Sequence, residues 1–224
     1  MLCLVIYFNY FHSLERITGA TKLRINWFVF YYLLFFVPFA LAYFLQPLFY
    51  KGNRFFKNKW FWIILFIAPA IFSFRVNFTF HHPLVQQIWN GDEQLFWLHC
   101  TRWLVGLLAV ILPVYIIWKI KDSMEMPFYG IRKIDNTKPY LIMILCMIPF
   151  IVLAALQADF LKMYPRAKII DGWELHPKVI YILIHEVLYS LDFITIEIFF
   201  RGFLVISLVN ICGRQCIVPA ACFY

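Results

Sequence analysis

One formal charge, Arg102, interrupts the apolar and aromatic side chains that run from Leu95 to Trp118. A helix crosses the hydrocarbon core of a bilayer with about 20 mostly apolar residues. Runs of that order recur at Trp27–Tyr50, Trp60–Phe74, Pro139–Leu156, Val179–Phe200 and Phe203–Tyr224. A soluble fold has no core able to hold them all. Of the 224 residues 63% are hydrophobic and 14% charged, against roughly 45–50% and about 25% in soluble domains. Strands of a membrane barrel would alternate over about ten residues, whereas these runs are continuous. With 26 Phe, 13 Tyr and 8 Trp, the chain is also far too aromatic for disorder. The expected fold class is all-α, a polytopic integral membrane helical bundle, with residues 1–224 as a single transmembrane domain.

Short polar linkers join the spans. Residues 51–59 form the densest basic loop, and 119–138 carry five basic residues against three acidic. Residues 76–94 contain no Lys or Arg but have Asp92 and Glu93. The excess of positive charge on cytoplasmic loops then predicts that 51–59 and 119–138 face the cytoplasm, with Arg201 at the cytoplasmic end of the Val179–Phe200 span. The net charge of +8 is accounted for by anionic headgroups, and nucleic acid is not an expected partner. Leu2–Phe11 is apolar but short. It has no basic residue before it, so it reads as the tail end of a helix rather than a signal peptide. The six cysteines contain no Cys-x-x-Cys pair, and Cys212 and Cys216, one helical turn apart, suit packing.

Chemistry concentrates in residues 185–201. Here a span carries His185, Glu186, Asp192, Glu197 and Arg201. Ionisable groups at membrane depth are costly and mark function by default. At about 100° per residue, Glu186 and Glu197 project within about 20° of each other. Ser190 falls on the same line, and Arg201 follows Glu197 at the i,i+4 spacing that allows pairing. One face therefore reads Glu186, Ser190, Glu197, Arg201. His185 and Asp192 share a second azimuth suited to hydrogen bonding with another helix. Asn9, His12, His99 and Asn210 are lone polar groups, read as contacts or surface residues.

Two readings of that face stand side by side. In one, Glu197 and Arg201 neutralise each other so that the helix can be inserted. In the other, an apolar setting raises the pKa of Glu197, which takes a proton from water and passes it to a leaving amine. Arg201 then holds the carboxylate or anchors a substrate carbonyl. His185-Glu186 opens like the zinc motif His-Glu-x-x-His, but its fifth position is Tyr189.

The segment Glu197-Ile-Phe-Phe-Arg201-Gly-Phe203 resembles the first signature of the CPBP family, the CAAX-processing and bacteriocin-processing intramembrane metalloproteases also called Abi. The resemblance implies an all-helical membrane fold with a CPBP-like core at about 139–224. It maps the family's second Glu and its Arg onto Glu197 and Arg201. The family's first Glu, usually taken as the base, maps onto Ile196. Either Glu197 takes over that role or activity is absent, and Asp192, one turn before Ile196, is a further carboxylate on that side. The family's later histidine motifs have no counterpart, since no histidine follows Arg201. The chain is therefore expected to be part of a longer one.

What the resemblance implies is an endopeptidase acting on peptide or lipidated-peptide substrates beside membrane lipid, in a bacterial cytoplasmic membrane. Glu197 and Arg201 are then the catalytic residues, with Glu186, Ser190, Asp192 and His185 supporting. A divalent metal, zinc, is the cofactor it implies, with no ligand set assigned. Two alternatives stay open: an inactive bacteriocin-immunity or scaffold protein of the same fold, and a small-molecule transporter or its accessory subunit.

Overall fold

The computed structural model describes residues 24–49, 54–131, 133, 136–158, 160, 170 and 178–223. The expected partial helix Leu2–Phe11, together with Asn9, His12 and Tyr224, lies outside the described residues. So do most of 13–26 and 158–178. All regular structure among the described residues is helical: α1 (Arg24–Leu45), α2 (Lys59–Asn77), α3 (His82–Ile88), α4 (Gly91–Lys121), α5 (Lys138–Ala155) and α6 (Lys178–Glu197). A π-helical segment, Ile198–Ile206, continues α6, followed by α7 (Ser207–Cys212) and α8 (Ile217–Ala221). Among the described residues five stretches are long and apolar enough to cross a membrane: Trp27–Leu48, Lys59–Ile88, Gly91–Lys121, Lys138–Ala155 and Lys178–Cys212. The architecture is that of a polytopic helical membrane protein.

The helix ends follow local chemistry. The Asn58 side chain accepts from the Trp60 N–H at 2.9 Å and caps α2, satisfying one of the orphan donors of its first turn. Asp92 and Glu93 open α4, and Lys119 and Lys121 close it, each complementing the helix dipole. Pro139 starts α5, where its missing N–H costs nothing. Pro38, Pro69, Pro113 and Pro149 lie inside α1, α2, α4 and α5. Membrane helices tolerate such prolines because neighbouring groups satisfy the freed carbonyls.

One expectation is corrected. The sequence divides Val179–Phe200 from Phe203–Tyr224 at Arg201, yet the helix continues through that point. Lys178–Cys212 is one stretch of 35 residues, so Arg201 lies within a helix and not at its end. A single guanidinium paired one turn back leaves the backbone hydrogen bonds intact. The break comes at Gly213, with φ 82° and ψ −178°, a conformation that glycine adopts without steric cost.

The chain divides into two compact units. The first comprises 1–79, 105–129 and 192–224, and the second 80–104 and 130–191. Phe39, Tyr43, Phe61, Phe199, Phe203 and Leu208 are among the buried side chains of the first unit's core. There the Tyr43 hydroxyl donates to the Cys216 carbonyl at 3.1 Å, giving the turn after Gly213 a buried partner. In the second unit Phe96, Cys100 and Ile170 pack with Trp97, Tyr181, Ile184 and Leu188. No residue of α5 is buried.

Candidate functional site

Glu197 closes α6, and Arg201 sits in the first turn of the π-helical segment. Arg201 Nε lies 2.9 Å from Glu197 Oε2, and the two side chains are 83% and 52% exposed. The sequence's i,i+4 spacing thus becomes an ion pair that is open on the surface of the first unit. A carboxylate and a guanidinium at an open position can both reach a ligand.

The opposite side of the same turn is buried. Phe199, Gly202, Phe203 and Leu204 face the core. A Cβ on residue 202 would fall 3.0 Å from Tyr129 Cβ and 3.2 Å from the Tyr129 carbonyl oxygen, so glycine is what permits this approach. Tyr129 has φ 37° and ψ 51°, left-handed and uncommon for a residue with a side chain. Its hydroxyl donates to Asp122 Oδ2 at 3.3 Å. Ser207 Oγ lies 3.2 Å from the same carboxylate oxygen and 3.3 Å from the tyrosine oxygen. Lys121 Nζ holds the other oxygen, Oδ1, at 2.6 Å. Asp122, Tyr129 and Ser207 are 1%, 4% and 0% exposed. Burial pushes the Tyr129 phenol above its usual range; the Ser207 hydrogen bond opposes this and the Asp122 charge adds to it. In the sequence Asp122 reads only as one of the three acids of the 119–138 loop. An acid placed directly after Lys121 at the end of an apolar run was the available signal, and it is a weak one.

Asp192 is held elsewhere. Its Oδ1 meets Arg75 Nη2 of α2 at 2.5 Å, with both side chains more than four-fifths buried. Its carboxylate is therefore committed to Arg75, and Ile196, half-buried, has no acid in its place. Arg75 also stands over the Phe72 ring at 5.5 Å. Phe74, on one side of Arg75 in sequence, helps to line an apolar cleft of about 650 Å³ with Phe28, Ala70, Val105, Leu108 and Leu112.

His185, Glu186 and Ser190 belong to the second unit. His185 is buried among the Trp103, Phe96 and Tyr189 rings, with the Trp103 centroid 4.9 Å away, edge to face. Its Nδ1 lies 3.6 Å from Glu186 Oε1. Ser190 Oγ donates to the Glu186 backbone carbonyl at 2.7 Å. His99 likewise turns onto its own helix, with Nδ1 2.9 Å from the Leu95 carbonyl.

Zinc takes three or four Cys, His, Asp or Glu ligands. The described residues contain no group of three such side chains, and the Glu197 carboxylate faces a guanidinium. This donor set does not fit a zinc site, and the chemistry open to it is proton transfer and charge stabilisation. Compared with family models, curated proteins and solved structures, the chain matches none.

Proposed function

We propose that this chain is an intramembrane endopeptidase of the type its Glu197–Phe203 segment resembles, with Glu197 as the base and Arg201 as its electrostatic partner. The observation that carries the reading is the 2.9 Å contact between Arg201 Nε and Glu197 Oε2 on an open helical turn. Glu197 takes a proton from water, and the hydroxide so formed attacks the scissile carbonyl carbon. Arg201 faces the negative charge that develops on the carbonyl oxygen, the kind of fixed charge that stabilises such an intermediate. Glu197 then gives the proton to the amide nitrogen as the C–N bond breaks. The wholly apolar cleft in the same unit supports a substrate with an apolar portion, and lipid or a lipidated peptide is the expected partner.

A non-catalytic relative of the same fold is the second reading. It is favoured by Ile196 at the position of the family's first Glu and by the commitment of Asp192 to Arg75. The two readings separate in proteoliposomes containing the purified chain and quenched-fluorescent peptides with and without a farnesyl group. Cleavage that falls roughly 10²–10⁴-fold in Glu197→Gln supports the base assignment. Full activity in the double variant Glu197→Gln, Arg201→Gln ends it. An inert wild type beside an active Ile196→Glu variant identifies a non-catalytic relative.

A further inference from the structure

Tyr129, in the Phe128–Gly130 turn, is touched at two places, by Gly202 within the π-helical segment and by Ser207 directly after it. Gly202 meets the Tyr129 backbone and Cβ, and Ser207 meets the Tyr129 hydroxyl and the Asp122 carboxylate. These contacts are five residues apart. In an α-helix such residues project about 140° from each other. A π-turn, with its i→i+5 hydrogen bonds, brings them roughly one above the other. In the π form the two ends of Tyr129, its backbone and its hydroxyl, engage both residues at once. The engagement is well anchored, because Asp122 is held from its other side by Lys121 and the Tyr129 ring packs 5.7 Å from that of Phe203.

We propose that Asp122, Tyr129 and Ser207 are positioning residues that lock Ile198–Ile206 in its π form and thereby set the azimuth of Glu197 and Arg201. π-Helical turns are rare and gather at functional sites, and a left-handed tyrosine is the kind of local strain that surrounding contacts must maintain. Without the lock, the segment relaxes to α-helical hydrogen bonding. Residues 192–197 then rotate about the helix axis relative to Ser207, carrying the Glu197 carboxylate off its present line. The inference rests on the proposed function only in taking Glu197 and Arg201 as the working pair; the lock itself involves no substrate.

A nitroxide scan of positions 192–197 tests it, one introduced cysteine at a time, in the full chain reconstituted in lipid. Cys3, Cys146 and Cys222 are replaced by serine in the background. Molecular oxygen, which enters lipid, is the collision probe. With the lock intact, collision rates peak at positions 193, 194 and 197, which are exposed, and dip at the buried Thr195. Gly202→Val, which wedges Tyr129 away, is expected to move this pattern along the sequence by about one residue. The double variant Tyr129→Phe, Ser207→Ala removes the hydroxyls without adding volume and is expected to move it in the same direction. A pattern unchanged in phase in either variant overturns the proposal, as does a uniform rise at all positions, which reports local unfolding. A shifted phase with peptide cleavage unaffected upholds the lock and removes Glu197 from the reaction.

Discussion

Arg75 and Asp192 stand 117 positions apart in the chain and meet with Nη2 2.5 Å from Oδ1. Each sits in an apolar helix, where an unpaired charge is expensive. Paired, they join α2 to the end of α6 within one unit. A Cβ added at Gly106 of α4 would lie 3.6 Å from the Arg75 Cγ and Nε, ordinary van der Waals distance, so an alanine would fit there against the arginine stem.

Removing one member of this pair leaves the other charged and largely buried. Asp192→Asn is expected to destabilise the protein by about 3 kcal/mol, the lower end for a buried pair because neither side chain is wholly enclosed. Arg75→Gln should cost a similar amount, and the two together less than their sum. Reversible unfolding in mixed detergent micelles measures all three. A strictly additive double variant would show that the contact carries no coupling.

The pair of Glu197 and Arg201 should behave differently. With side chains 52% and 83% exposed, an i,i+4 ion pair contributes about 0.3–0.5 kcal/mol where water and headgroups reach it, as the catalytic reading requires. Glu197→Gln and Arg201→Gln are therefore expected to express and unfold like the wild type, within about 0.5 kcal/mol. Losses of several kcal/mol in both singles, recovered in the double, would instead identify a pair whose role is to neutralise charge in the fold.

The contrast between these two pairs shows what the sequence can convey. Glu197 and Arg201 are legible because helical spacing alone brings them together. Asp192 is legible as a costly carboxylate, but no spacing reveals that its partner is Arg75, because α2 and α6 meet only in the tertiary fold. The apolar runs locate the long helices for the same reason that lone charges locate helix ends badly. Arg201 looks like a boundary, yet a locally paired charge does not interrupt backbone hydrogen bonding, and the break falls at Gly213. The Asp122, Tyr129 and Ser207 cluster was hidden because each residue, taken singly, is an ordinary loop or helix residue. Its meaning lies in the π-turn, which residue identities do not announce.

Alkaline titration gives an independent view of that cluster. Burial raises the Tyr129 phenol pKa in the folded chain, so the unfolded chain loses that proton first, near pH 10. Below pH 10 both states keep it and its contribution to stability is whole. Above pH 10 stability falls as pH rises towards the folded value, by up to about 1.4 kcal/mol per pH unit for one group. Between pH 9 and 11 the wild type should therefore lose stability more steeply than Tyr129→Phe, which has no phenol there. Parallel curves for the two would mean that Tyr129 is not buried as described.

Gly202→Ala sets two effects of opposite sign against each other. Alanine is the better helix former by about 1 kcal/mol, and on an open helical face the substitution would stabilise. At this position the new Cβ arrives 3.0 Å from Tyr129 Cβ and 3.2 Å from its carbonyl oxygen. Forcing a methyl group into a packed site costs about 1–3 kcal/mol, so the net expectation is a loss on the order of 1 kcal/mol. A double-mutant cycle with Tyr129→Gly isolates the cause. Glycine at 129 keeps the left-handed backbone conformation without strain and removes the Cβ, though the carbonyl contact remains. In that background Gly202→Ala should become neutral or stabilising, giving a coupling energy of about 1 kcal/mol or more. Unfolding free energies of the four proteins supply the measurement. An alanine that costs the same in both backgrounds would mean that the penalty arises within the π-helical segment itself and not at its contact with Tyr129.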